Sequence, residues 1–256
     1  MPDHEQASDR RQNPLAGLIA AAQRRWGLRA LTWGAGRIAP SPALPTGLLP
    51  LDALLHGGLP RGRLTEFLGT PTSGMTTIAL MALAHTQARG ELAAWFDLRA
   101  TFDAAYAAAC GVDLPALLLV RPPGVIDALE LAEALLTSGG VGLVVIDALA
   151  RTRAAGERAL ASPALRRLLA AIAPHPGALL ALTPLPAARA RGHDDALHSP
   201  LAQPAALRLH VARQTWEDNG AAPACSVRIT VLKRRGGTDG AATVLPLTFP
   251  ADWEFI

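Results

Sequence analysis

Lysine is almost missing from this chain of 256 residues: of its 24 Lys and Arg, one is lysine, Lys233, and the rest are arginine. Genomic base composition produces such a bias, but any chemistry that needs an ammonium has a single candidate. Aromatic residues are scarce at 4%, and the only tyrosine is Tyr106. Two cysteines, Cys110 and Cys225, provide neither a disulfide scaffold nor a four-ligand metal site; both read as structural. No apolar run approaches the ~20 residues that a membrane helix needs. The start, Met1-Pro2-Asp3-His4-Glu5, lacks the basic-then-apolar order of a signal peptide. The expectation is a cytoplasmic protein with no membrane association. A formal net charge of +3 does not compel nonspecific nucleic-acid binding. What is present is a 50% apolar composition with mean hydropathy +0.23, which excludes global disorder.

Two regions are expected. Residues 1–45 form an arm and linker: Pro14 to Arg25 has a helical pattern with Leu15, Leu18, Ile19 and Ala22 on one face, followed by the Gly/Pro-rich stretch Gly34–Pro45. Residues 46–256 form the core. Apolar runs at Leu64–Leu68, Leu92–Phe96, Leu117–Val120, Val141–Ile146 and Ala178–Leu182 alternate with helical segments at Thr76–Ala88, Thr101–Cys110, Ile126–Leu136 and from Pro163. Continuous apolar strands spaced by helices imply an α/β fold, a mostly parallel twisted sheet with helices on both faces. Leu207, Leu209 and Val211, and later Val227, Ile229 and Val231, alternate with more polar neighbours. That period of two predicts an antiparallel extension at the sheet edge.

One turn carries chemistry. Strand Leu64–Leu68 runs into Gly69-Thr70-Pro71-Thr72-Ser73-Gly74-Met75-Thr76-Thr77 and then a helix. This is the phosphate-loop pattern G-x-x-x-x-G-K-[ST] with Met75 in the lysine position. Glycines let the backbone wrap a phosphate, and the helix N-terminus favours an anion. Thr76 and Asp147, the latter closing strand Val141–Ile146, would hold magnesium. Loss of the lysine removes a charge-assisted hydrogen bond of about 1.5–3 kcal/mol, about ten- to a hundredfold in affinity. On the pattern alone the segment reads equally as an ordinary strand–turn–helix corner.

Longer stretches carry a resemblance. Thr46-Gly47-Leu48-Leu49-Pro50-Leu51-Asp52, then Gly57-Gly58-Leu59-Pro60-Arg61-Gly62-Arg63, with Asp103-Ala104-Ala105-Tyr106 and Gly111-Val112-Asp113, are similar to the bacterial RecA recombinase family. The resemblance runs from about Pro14 to the end of the sequence and implies a RecA-like phosphate-loop core without the RecA C-terminal domain. It implies an ATP site with Mg2+, in which Tyr106 stacks on adenine and Asp103 contacts the adenine amino group. The alternative for Tyr106 is a helix residue packing on the core. Lys233-Arg234-Arg235 resembles the segment through which RecA reaches a neighbouring subunit's nucleotide, so Lys233 and Arg235 would act in trans; otherwise the run is a solvated strand end. The loops holding Arg151, Arg153 and Arg158, and Arg189, Arg191 and His193, match those lining the DNA channel, and Arg151, Arg153, Arg189 and Arg191 are the phosphate-contact candidates. Neither loop has an aromatic to stack a base. Arg166-Arg167 reads as the solvent face of a helix.

The departures matter as much. Where the family has a water-orienting carboxylate, this chain has Arg99, which cannot act as a base at neutral pH. Where the family has a γ-phosphate-sensing glutamine, it has Thr183-Pro184. With Met75, three separate hydrolytic positions are altered. The resemblance is therefore strongest to the ImuA branch, accessory proteins of DNA-damage-induced mutagenesis that act with Y-family and error-prone polymerases. The expected function is a scaffold or nucleotide-gated adaptor, without fast ATP hydrolysis. It would meet RecA or polymerase partners, with single-stranded DNA and self-association through the arm as further contacts. The alternative is a divergent ATP-dependent recombinase, driven by DNA-dependent hydrolysis and exchanging strands.

Overall fold

The computed structural model describes Arg24 and residues 43–147, 163–185, 199–218, 223–234 and 240–248. The chain divides into two compact units, Met1–Pro40 and Ser41–Ile256. The arm helix, apart from helical Arg24, lies outside the described residues.

Ten strands and five helices are described in that unit. A small antiparallel pair joins β1 (Ala43–Leu44) to β2 (Leu59–Pro60), with helix α1 (Leu49–Leu54) between them. Ala43 and Leu44 thus belong to a strand although the sequence places them in the linker. The main sheet runs β3 (Leu64–Gly69), β4 (Leu92–Asp97), β5 (Leu117–Val120), β6 (Val141–Asp147), β7 (Ala178–Pro184), β8 (Leu207–Asp218), β9 (Pro223–Arg234) and β10 (Ala242–Thr248) in chain order. In space the order is β10-β9-β8-β3-β7-β6-β4-β5. Every pairing from β8 through β5 is parallel; β9 and β10 are added antiparallel.

Successive residues of the central strands feed opposite faces, and both faces are apolar. Trp95, Val145, Leu180 and Phe67 join the cluster on one face with Ile78, Ala79 and Leu83 of helix α2 (Met75–Ala88). Phe96, Val144, Ile146 and Leu179 join the other, with Leu129 and Leu136 of α4 (Val125–Thr137) and Leu165, Leu168 and Ile172 of α5 (Pro163–Ile172). Each fully buried large side chain contributes about 1.5–3 kcal/mol, so the continuous apolar runs are the sequence form of a two-sided core.

Two expectations are corrected. β8 is not an edge antiparallel strand: Thr65 to Leu68 of β3 pair with Leu207 to His210 in parallel, and the antiparallel extension begins at β9. In the alternation that suggested a sheet edge, Arg208 is buried and holds the buried carboxylate of Glu66. The helix expected from Thr101 is shorter, α3 (Ala104–Ala109). The amides of Thr101 and Phe102 donate to Asp97 instead, which draws the chain away from a helical path until Asp103 caps the turn.

Candidate functional site

β3 delivers the chain into the loop, and α2 takes it away. Gly69 must be glycine, because a Cβ there would collide with Ser73 Oγ and the Val211 carbonyl oxygen. Gly74 has φ +95°, a left-handed conformation available to glycine without strain, and starts α2 without a side-chain cap. Thr72 also sits at positive φ, 63°. The leading N–H groups of a helix have no partner within it, and here they open on a cavity of about 790 Å3, in the range of ligand sites of ~300–1,000 Å3. All residues from Thr70 to Thr77 line it. Ser73 Oγ, on a residue only 2% exposed, has no hydrogen-bond partner.

Met75 lines the cavity but is 7% exposed and belongs to the apolar core cluster. A buried thioether supplies packing and no charge. Beyond it, the walls are Arg99, Asp103, Tyr106 and Pro184, all anticipated from the sequence, with Arg213, Trp216 and Cys225, which were not. Arg213 Cζ lies 5.5 Å from the centre of the Trp216 ring, within cation–π range. These two sit more than 130 residues beyond the loop, on the strand that pairs with β3. No local sequence signal reports that approach; only the parallel β3–β8 pairing does.

The adenine-side residues are placed with structural duties. Asp103 Oδ1 accepts the Tyr106 amide at 3.0 Å and caps α3. The Tyr106 hydroxyl and Thr77 Oγ1 are 2.5 Å apart, which ties the ring to α2. Burial, with the Cys110 thiol nearby, pushes the Tyr106 phenol up to about 12, against the bond to Thr77. Burial pushes the Cys110 thiol up to about 11 and also raises that of Cys225, so both stay protonated at neutral pH.

At the carboxyl ends of β4 and β6 Asp97 and Asp147 are register partners, and Arg99, just beyond β4, lines the cavity. Asp97 accepts from the Thr101 and Phe102 amides at 2.9 and 3.1 Å and from Arg121 Nε at 3.2 Å. Burial raises its pKa, but these donors outweigh it, and the net shift is downward. Among the described residues Asp147 has one cationic neighbour: Arg99 Nη2 lies 3.4 and 3.3 Å from its two oxygens. Burial raises the Asp147 pKa, Arg99 opposes this, Asp97 reinforces it, and the net shift is upward.

That arrangement does not fit magnesium. Mg2+ requires near-octahedral oxygen ligands at ~2.0–2.1 Å, while both oxygens of Asp147 already face a guanidinium. Of Thr76 and Asp147, expected as the metal pair, Thr76 lines the cavity and Asp147 faces Arg99. The phosphate cradle, by contrast, fits a nucleotide: an uncapped helix start and space.

The remaining expectations divide. At the sensor position Pro184 faces the cavity, and Thr183 Oγ1 donates to Glu66 at 2.9 Å. Lys233 Nζ donates to the carbonyls of Ala202 and Gln203, at 2.8 Å each, and Arg234 donates to that of Leu54 at 2.6 Å. Within one chain the single lysine anchors a turn. Arg235, Arg151, Arg153, Arg158, Arg189, Arg191 and His193 lie outside the described residues. Arg167 bridges α5 to Glu130 and Glu133 of α4 at 3.1 and 2.8 Å, on the solvent face as read.

Known proteins resemble this chain across the same regions. Residues 18–172 match the family model described as RecA N-terminal domain. Protein RecA of Leifsonia xyli subsp. xyli is 38% identical over 177 residues, 63% of this chain and 50% of that protein. Protein RecA of Clavibacter michiganensis subsp. michiganensis is 41% identical over 142 residues, 55% and 39% of the two chains. That of Frankia casuarinae is 42% identical over 148 residues, 52% and 43%. The chain spans about half or less of the length of these curated relatives. With its mostly parallel sheet, its glycine-bounded loop at the end of β3 and a family match over more than half its residues, the chain belongs to the RecA family.

Proposed function

We propose that this chain is a RecA-like protein of DNA recombination and repair that serves as a scaffold or nucleotide-gated adaptor, binding ATP without fast hydrolysis. The observation that carries this reading is the contrast within one cavity. The phosphate loop stays open over about 790 Å3 while the positions needed for hydrolysis hold Met75, Arg99 and Pro184. A positioned general base contributes ~10²–10⁴-fold, and Arg99 cannot supply it. An arginine on Asp147 likewise opposes the metal side of the reaction. Binding needs less: the loop amides, and the Tyr106 face against adenine.

Partners follow from the same reading. RecA itself and error-prone or Y-family polymerases are the protein partners, as an ImuA-like role in mutagenic repair requires. Single-stranded DNA would meet Arg151, Arg153, Arg189 and Arg191, and Lys233 and Arg235 would serve a neighbouring subunit. The test is titration calorimetry with ATP, following hydrolysis in the same sample with and without single-stranded DNA. Micromolar binding without turnover is expected. Turnover stimulated by DNA would overturn the adaptor reading in favour of a working recombinase. No binding at millimolar ATP would leave a scaffold only.

A further inference from the structure

The cavity carries fixed positive charge on two sides of its phosphate loop. Arg99, with 38% of its side chain exposed, lies against Asp147 and lines the cavity from the carboxyl ends of β4 and β6. Arg213, exposed on β8, lines it from the other side. We propose that this site takes the polyphosphate of ATP without a divalent cation, with Arg99 and Arg213 as its counter-charges. The inference deepens the reading that the chain binds ATP and rests on it.

Geometry and charge both favour the exchange. A metal-bound triphosphate arrives with much of its charge already neutralised by the ion. The residue that would bind that ion, Asp147, instead faces a guanidinium, so a second cation there would meet Arg99 at close range. The Arg99–Asp147 contact is loose: 3.3 and 3.4 Å, against ~2.7–2.9 Å for a tight charge-assisted bond. It engages Nη2 of a group that has five N–H donors in a planar fork, a shape matched to phosphate oxygens. Arg213 is held over the Trp216 ring at the cavity rim, which limits the freedom that it must lose on binding. Met75 brings no charge, so the two arginines replace both the ion and the missing lysine.

The experiment compares ATP binding by calorimetry in excess magnesium and in EDTA, with the full chain and with Arg99→Ala, Arg99→Lys and Arg213→Ala. For the unaltered chain, affinity in EDTA should equal or exceed that in magnesium. Arg213→Ala should weaken binding in EDTA about tenfold or more. Arg99→Ala should do the same and, by freeing Asp147, should make binding magnesium-dependent. Near-UV circular dichroism checks that this variant folds. If it does not, Arg99→Lys, which keeps the charge, should retain metal-independent binding, and Arg213→Ala still carries the test. For the unaltered chain, affinity tenfold or more weaker in EDTA than in magnesium overturns the inference while leaving ATP binding intact. Metal-independent binding that neither alanine variant weakens overturns the role of the arginines. Absence of binding in both buffers at millimolar ATP overturns the inference together with the reading beneath it.

Discussion

Two arginine–carboxylate pairs lie in the same sheet and differ in nearly everything but chemistry. Glu66 of β3 is fully buried and saturated. Its Oε2 accepts Arg208 Nε at 2.7 Å, and its Oε1 accepts the hydroxyls of Thr183 and Ser199. Side-chain exposures are 3% for Arg208 and 0% for Glu66. This pair clamps β3, β7, β8 and the 199–206 turn around one carboxylate. The Asp147–Arg99 pair is longer, sits at the cavity wall, and leaves its arginine 38% exposed. Burial alone does not distinguish a structural ion from a working one. Saturation does: a carboxylate with all its partners in place is finished, whereas a loose pair at a cavity has capacity left for a ligand.

The largest expected effect tests the closed pair. Arg208→Ala leaves Glu66 buried and uncompensated and should cost about 3–5 kcal/mol in denaturant unfolding. Replacing Glu66 and Arg208 together by leucine should restore most of that loss, since exchanging a buried pair for apolar packing is often neutral or stabilising. A single-variant loss below about 1 kcal/mol would show that the network is not closed. The next effect is at the open site. Met75→Lys should tighten ATP binding about ten- to a hundredfold, with the new ammonium emerging from a position now 7% exposed. No gain in calorimetry would mean that the loop does not cradle phosphate.

The smallest effect separates the two aspartates at the strand ends by sign. Asp97 has a lowered folded pKa, so its contribution is present above the unfolded value near ~3.9 and is lost as pH falls through the folded value. Asp147 has a raised one, so its ionisation opposes folding above that value and the penalty is relieved as pH falls. Asp97→Asn should therefore flatten the acid limb of a stability-versus-pH curve, and Asp147→Asn should not. Equal flattening by both variants would show that the two carboxylates titrate as one unit.

Much of the fold was legible because its strands are buried on both faces. Val141–Ile146 and Ala178–Leu182 read as strands for that reason, Leu117–Val120 is an apolar run although β5 is a partly exposed edge strand, and α2 and α4 follow from their apolar spacing and their glycine boundaries. β8 misled because alternation has two causes. A buried arginine on a buried glutamate gives the same pattern as an arginine in water, and the partner lies 142 positions away. Asp103 and Tyr106 were legible as neighbours of the loop, but the capping bond and the Thr77 contact that hold them were not.

The sequence by itself determined the two-sided sheet, the glycines of the phosphate loop, and the absence of lysine, carboxylate and glutamine at the positions that hydrolysis needs. The first two are matters of composition and local spacing; the altered positions were located by the resemblance to the RecA family. Only the tertiary structure decided where the charges went. It turned Arg99 onto Asp147, brought Arg213 and Trp216 to the cavity through the parallel pairing of β3 with β8, and spent Lys233 on the carbonyls of Ala202 and Gln203. The physical reason is that a long cationic side chain reaches whatever acceptor the packed strands present, and that acceptor is set by chain crossings that no local window contains.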